Sequence, residues 1–226
     1  MFFDQKLQPQ YADVRLMREP RAQAKDVDTG DATSWISVMK IEPPHTASRV
    51  EILNWSPDWP ERFAIKANAI RHALGDHALR IDHVGSTAIR GLAAKPIIDV
   101  QLSVADLEPI EIIAEKMATI GYLWRPLNAD RTKRYFREQP GGERTHIHMR
   151  RFGSWQEQWS LLFRDYMRAH VHEHAPYANL KRALAARFRH DRMAYTEGKS
   201  EHLWQIIRRA DQWAAAGGWN PGPSDA

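Results

Sequence analysis

His83-Val84-Gly85-Ser86-Thr87-Ala88-Ile89-Arg90-Gly91-Leu92-Ala93-Ala94-Lys95-Pro96-Ile97-Ile98-Asp99-Val100-Gln101-Leu102 carries two strands and the turn that joins them. Ala78 to Val84 reads as a strand running into Gly85-Ser86, and Ile97 to Val104 as a second, more buried one. Asp99, Gln101 and Ser103 alternate on the second strand and therefore share a face. An acid on an otherwise apolar strand needs a reason, because a buried carboxylate is costly unless partnered. A Gly-Ser-Thr at the mouth of a helix can hold phosphate on backbone N–H groups, with Asp99 holding a metal beside it. That combination points to nucleotide chemistry. Lys95 sits in the extended backbone imposed by Pro96, from which its ammonium can reach a phosphate oxygen. The plainer readings are a strand-to-helix turn with a serine N-cap, a surface lysine and a carboxylate that satisfies local donors.

Upstream, Val50 to Leu53 reads as a short strand, and Trp55 to Pro60 as a turn leading into a helix, with Pro60 suited to its first position. Phe63, Ala67, Ile70 and Leu74 fall on one face of a helix over Glu61 to Leu74, stopped by Gly75. Downstream, the spacing predicts a helix over Leu107 to Ile120, then strands over Tyr122 to Arg125, Arg134 to Arg137 and Thr145 to Met149, the last preceded by the Pro140-Gly141-Gly142 turn. After Gly153 the chain reads as helical. Trp155, Trp159, Leu162, Phe163 and Tyr166 form a stripe expected to be core. The result is an α+β pattern: an α+β core over 50–153, a C-terminal helical region over 154–216 and a flexible tail over 217–226. Residues 1–49, polar and broken by Pro20, Pro43 and Pro44, are expected to be a partly disordered extension, with Trp35 to Ile41 its one strand-like piece.

Composition narrows the function classes. No apolar run approaches the ~20 residues that span a bilayer, and Met1 to Lys6 has neither the basic start nor the apolar core of a secretory signal. The chain has 0 cysteines, which removes disulfides, thiolate catalysis and Cys-type zinc sites and fits a cytoplasmic protein. Its 32 Lys and Arg are interspersed with 28 acids for a net +4. With no long polybasic arm, neither a membrane nor a nucleic acid is the expected partner.

Three further groups carry chemistry. His146 and His148 share a strand face, and beside the strand of Asp99 they would complete a metal site of one carboxylate and two imidazoles. Such a site favours a transition metal over Mg²⁺. An acid-base histidine and a plain polar sheet face are the alternatives, and Arg144 and Arg150 on the same period make that face anion-facing. Arg134 and Arg137 flank Tyr135-Phe136 on opposite faces, so one of them is a candidate to grip a phosphate.

His83-Val84-Gly85-Ser86-Thr87-Ala88 with Gly91-Leu92-Ala93-Ala94-Lys95-Pro96-Ile97-Ile98-Asp99-Val100 closely resembles the signature of the GrpB family. The likeness extends to Trp55 to Pro60, Thr145 to His148, Phe163 to Arg168, Tyr177 with Lys181, and Tyr195 with Lys199, and covers roughly Val50 to Ala216. Family members look like nucleotidyltransferase-fold proteins, and the domain also occurs fused to dephospho-CoA kinase. The resemblance implies a nucleotidyltransferase-like mixed sheet with flanking helices and a helical region closing over a nucleotide or phosphorylated small molecule. Arg164, Tyr177, Lys181 and Lys199 match family positions in that helical region, where a tyrosine can stack on a base and a lysine can meet phosphate. In an active transferase Asp99 would be catalytic and bind Mg²⁺, Gly85, Ser86 and Thr87 would hold the phosphates, and Lys95 with Arg137 would offset developing charge. The superfamily pattern has a second acid two residues after the first, and Gln101 stands there instead. A pair of Mg²⁺ ions needs both carboxylates. The other classes are therefore a non-catalytic phosphate-binding module of the family, and an RNA binder that uses the Arg144 to Arg151 strand. The pattern names no acceptor, base or oligomeric state.

Overall fold

Alternation along the strands gives the central sheet one apolar and one polar face, and that division positions the site. The computed structural model describes residues 49–226; the expected order of the extension, including Trp35 to Ile41, lies outside the described residues. The strands are β1 (Arg80–Val84), β2 (Ile98–Val104), β3 (Tyr122–Trp124), β4 (Lys133–Glu138) and β5 (Thr145–Arg151). They form a five-stranded sheet in the order β1-β2-β5-β4-β3. Only β2 and β5 run parallel; the other pairs are antiparallel. The fold is thus the expected α+β arrangement of a mixed sheet with flanking helices.

The apolar face carries Ile81, Ile98, Val100, Leu102, Phe136, Ile147 and Met149, packed on two helices. The first, α1 (Asp58–Leu74), buries Trp59, Phe63, Ala67, Ile70 and Leu74 at helical spacing, and α2 (Ile110–Thr119) adds Ile110, Ile113 and Met117. Asp58 and Glu61 in the first turn of α1 and Arg71 in its last suit the helix dipole. The helix begins earlier than its periodicity suggests, which leaves Pro60 in the first turn, where its missing N–H costs nothing.

The polar face is covered by the C-terminal helices α3 (Trp155–Ala169), α4 (His174–Arg187), α5 (Arg192–Glu197) and α6 (Ser200–Gly217). Ser154 and Glu157 begin α3 as a capping pair: Ser154 accepts from the Glu157 N–H, and Glu157 Oε2 accepts from the Gly153 N–H at 2.7 Å. The same Glu157 clamps α3 to the sheet, because its Oε1 accepts from Ser103 Oγ and its backbone carbonyl from Gln101 Nε2 at 3.2 Å. Ile89, Leu92 and Ala93 join Phe163, Tyr166, Met167 and Ile206 in a second core. The 84–98 connection therefore belongs structurally to the helices as much as to the sheet.

Three expectations change. Ser86–Ala88 is a single 3-10 turn, not the mouth of an α-helix. Val50 to Leu53 contributes only an isolated bridge, Leu53 to Ala94, with Val50 N–H bonded to the Arg189 carbonyl at 2.9 Å. The tail is tied down: Ser224 Oγ accepts from the Ile81 N–H at 2.8 Å and donates to the Ile81 carbonyl at 2.9 Å, and Asp225 Oδ2 accepts from the His83 N–H at 2.9 Å. These side chains satisfy the free edge of β1 that a neighbouring strand would otherwise fill.

Arg164 belongs to this same network. It is 2% exposed and bonds Asp165 at 2.7 Å, Asp225 at 2.9 Å and the fully buried Asp82 at 3.1 Å, while Arg80 holds Asp82 from the other side at 2.7 and 2.8 Å. Removing one partner leaves a buried carboxylate undercompensated, so Arg164→Leu should cost about 3 kcal/mol in urea unfolding. A loss below about 1 kcal/mol would contradict this structural role.

Candidate functional site

Register assembles the site before any loop contributes. Pairing β2 with β5 sets Asp99 opposite His146, Gln101 opposite His148 and Ser103 opposite Arg150, while β4 adds Tyr135 beside His148 and Lys133 beside Arg150. The polar face thus reads as successive rows of functional side chains under the C-terminal helices. Between sheet and helices lies a cleft of about 450 Å³.

His146 Nδ1 lies 3.0 Å and His148 Nε2 3.6 Å from Asp99 Oδ1. The ligand atoms of these three residues all lie within 4.8 Å of one another. Burial raises the Asp99 pKa, but hydrogen bonds from His146 and His148 outweigh it and hold the carboxyl well below the usual range. Burial pushes His146 down to about 4, against the pull of Asp99, so the pair is a neutral imidazole donating to a carboxylate. Gly85 makes this possible. It has a φ of +70°, and a Cβ there would come within 2.5 Å of Asp99 Oδ2. The glycine of the Gly-Ser pair thus leaves space for the carboxylate, with no helix N-terminus behind it.

Six cations line the cleft, Lys95, Lys133, Arg150, Lys181, Arg192 and Lys199, against one lining carboxylate, Asp99. Lys181 Nζ donates to Ser86 Oγ at 3.0 Å and to the Ala93 carbonyl, and stands 4.3 Å from the centre of the Tyr177 ring. Lys95 and Lys199 both lie over Tyr195, at 5.0 and 4.8 Å. Arg192 Nη2 reaches His146 Nε2 at 3.3 Å. Gln101 is fully buried; its Nε2 is taken by Glu157 and its Oε1 has no partner among the described residues.

Of the residues singled out from sequence, Gly85, Ser86, Thr87, Lys95, Asp99, His146, His148, Tyr177, Lys181 and Lys199 meet around this cleft. Thr87 is largely spoken for: its Oγ1 donates to the Ile97 carbonyl at 3.2 Å and bonds His83 Nε2 at 3.0 Å. Arg134, Arg137 and Arg164 do not line it. Arg134 shares the apolar-face period of Phe136 and pairs with Glu108, and Arg137 is bound to its neighbour Glu138 at 2.7 and 3.1 Å. Arg164 is spent on the buried Asp82 and on Asp165 and Asp225. Sequence reasoning missed Arg192, Lys133 and the part of the aromatic stripe that also lines the cleft. Trp155 is 64% exposed, and Trp159 and Phe163 line the cleft. Alternation with His146 and His148 already marked Arg150, whereas Arg192 sits in a two-turn helix without a readable period.

The comparisons agree with this architecture. The sequence profile of the family described as GrpB protein matches residues 49–209, and the chain belongs to that family. A UPF0157 protein of Pseudomonas aeruginosa is 42% identical over 166 residues, covering 72% of this chain and 68% of that one. A dephospho-CoA kinase of Mycolicibacterium paratuberculosis is 30% identical over 76% of this chain and 48% of its own, and the UPF0157 protein YqkA of Bacillus subtilis is matched over 51% of its own length, so the chain spans about half of these two relatives. The crystal structure of GrpB from Enterococcus faecalis superposes with a TM-score of 0.67 at 30% identity, over 72% of this chain and 99% of that one. Among the described residues no helix is long and apolar enough to cross a membrane.

Crowding of cations has a measurable consequence. Burial, then Lys199 and Arg192, pushes Lys95 from 10.5 to about 7; burial, then Lys199, Arg182 and Lys95, does the same to Lys181. Between these values the unfolded chain binds more protons than the folded one, so stability rises with pH through that window, by up to about 1.4 kcal/mol per pH unit per lysine. Urea titrations between about pH 7 and pH 10 should show this rise, and Lys181→Met should flatten it. An unchanged slope in the variant would contradict the assignment.

Proposed function

We propose that the cleft binds a nucleoside triphosphate or a similar phosphorylated small molecule beside one divalent metal, and that the protein transfers a nucleotidyl group to an acceptor. The observation that carries this is the gathering of Lys95, Lys181, Arg192 and Lys199 at the Asp99 end of a cleft that Asp99 alone lines with a carboxylate. Like charges held together at low dielectric are unfavourable without an anion, and a polyphosphate supplies several negative charges at once. Arginine and lysine clamps on phosphoryl oxygens are a common means of stabilising transferring phosphate.

The donor set decides which metal fits. Two Mg²⁺ ions need a second carboxylate, and Gln101 is a neutral amide whose nitrogen is committed to Glu157. Asp99, His146 and His148 suit a single divalent transition metal, as imidazole does. Such a metal, when bound, would polarise a phosphoryl oxygen. The protein's own part is positional: Lys95, Lys181 and Lys199 hold the phosphate chain, Tyr177 and Tyr195 wall it, and Asp99 fixes the imidazoles. In the reaction an acceptor oxygen forms a bond to the α-phosphorus, the bond from that phosphorus to the bridging oxygen breaks, pyrophosphate leaves and the acceptor's proton is released.

The missing second carboxylate favours a second reading, a binding module of the GrpB family that keeps the pocket without turnover. Thermal-shift titration with ATP, CTP, GTP and UTP, each with and without Mg²⁺ or Mn²⁺, separates the two. The transferase predicts stabilisation of about 2.7 kcal/mol at a hundredfold excess over Kd, requiring metal and lost in Asp99→Asn. Stabilisation indifferent to both metal and Asp99 would establish the module instead, and no stabilisation by any nucleotide would contradict both.

A further inference from the structure

We propose that the end of the cleft formed by Gln101, Arg150 and Trp159 is a second, separate subsite, which binds a small molecule carrying an oxyanion next to an O–H or N–H group. It rests on the nucleotide reading in one respect, that it would serve as the acceptor's place; its binding chemistry stands on its own residues.

The cations of the cleft fall into two groups. Lys95 precedes Asp99 by four residues and shares Tyr195 with Lys199, Lys181 is tied to Ser86 in the β1–β2 connection, and Arg192 meets His146, the residue opposite Asp99. Arg150 and Lys133 face each other across β5 and β4 in the row of Ser103, four residues beyond Asp99 in the opposite direction. At roughly 3.3 Å per residue, that row lies about 13 Å from the row of Asp99. A triphosphate gathered by the first group therefore leaves the second available.

The second end is polar and unpaired. Gln101 Nε2 donates to the Glu157 carbonyl, which can only accept, so the amide orientation is fixed and Oε1 is the atom left over. Gln101 is 0% exposed, and its Oε1 has no partner among the described residues. Trp159 Nε1, Arg150 Nε and His148 Nδ1 are likewise buried without a partner, and all four residues line the cleft. Arg150 Nη1 donates to Thr132 Oγ1 at 3.1 Å and Nη2 faces Asp130 at 3.6 Å, while Asp130 also meets Lys133 at 3.5 Å. One carboxylate against two cations leaves a net positive charge. Leaving so many buried polar atoms unmade is costly, and a ligand that pairs them removes the cost. The Nε–H of Arg150 and the Nε1–H of Trp159 call for an acceptor with negative charge, whereas Gln101 Oε1 calls for a hydrogen-bond donor. A phosphate or a carboxylate beside a hydroxyl satisfies both demands.

Calorimetric titration of the full chain with glycerol 3-phosphate and with glycerate, each alone and after saturation with inorganic tripolyphosphate and Mn²⁺, tests this. We expect one equivalent of at least one of the two to bind in either condition, the tighter of the pair identifying the oxyanion. Arg150→Gln and Gln101→Met should each weaken that binding at least about tenfold and leave tripolyphosphate affinity within about twofold, with Lys199→Met doing the reverse. Folding of each variant is checked by circular dichroism, and Arg150→Gln serves alone if Gln101→Met loosens α3. Displacement by tripolyphosphate, no binding of either probe, or binding unchanged in Arg150→Gln would overturn the second subsite. Failure of tripolyphosphate to bind, with probe binding still dependent on Arg150, would instead overturn the nucleotide reading and leave this subsite standing.

Discussion

The enclosure of six cations with a single carboxylate governs this structure. Loss of hydration and Coulomb repulsion among these groups oppose closure of the helices over the sheet; burial first, and neighbouring cations second, drive Lys95 and Lys181 down to about 7. The fold tolerates this because much of the relief is local. Lys181 is solvated by a hydroxyl and a carbonyl, Lys95 and Lys199 lie against the Tyr195 ring, and Asp130 offsets Lys133 and Arg150. What remains among the lining residues is a surplus of positive charge over carboxylate.

Closure itself rests on α3. Glu157 ties the helix start to Ser103 and Gln101 on β2, while Arg164, about two turns further along, is locked to Asp82 of β1 and Asp165 of its own helix. The residue standing where a second metal carboxylate would be is thereby also a structural link between sheet and helix. Its amide nitrogen serves the fold and its oxygen is left without a partner among the described residues, a division that a carboxylate could not make because it has no N–H to offer the Glu157 carbonyl.

Much of this was legible from residue order. Alternation over Ile98 to Val104 and Thr145 to Arg151 placed Asp99 with Gln101, and His146 with His148 and Arg150, on common faces. Whether those faces met depended on the parallel pairing of β2 with β5, a contact across 47 residues that no local pattern specifies. The supposed helix mouth at Ser86 failed because Thr87 spends its hydroxyl on Ile97 and His83, and the backbone is already extended at Ile89. Arg134 and Arg137 read as phosphate grips, but each has an acid within reach. The Gly- and Pro-rich tail looked frayed because its anchors, Ser224 and Asp225, act on a strand 142 and 143 residues away. The α3 stripe is core at Phe163 and Tyr166, with Leu162 and Trp159 packed against them, whereas Trp155 is 64% exposed, because helical spacing does not mark where a stripe leaves the core.

Membership of the GrpB family places this chain among proteins whose pocket, not whose overall shape, has to explain what they do. The central claim is that Asp99, His146 and His148 hold one metal next to a bound phosphate chain. Pulsed electron paramagnetic resonance of the Mn²⁺-loaded protein tests it most directly, first alone and then with a nucleoside triphosphate. The account predicts ¹⁴N couplings from two imidazoles, lost in His146→Ala with His148→Ala, and a ³¹P coupling that appears when the nucleotide is added. A spectrum showing only water or nucleotide around the manganese, with no histidine nitrogen, would contradict it.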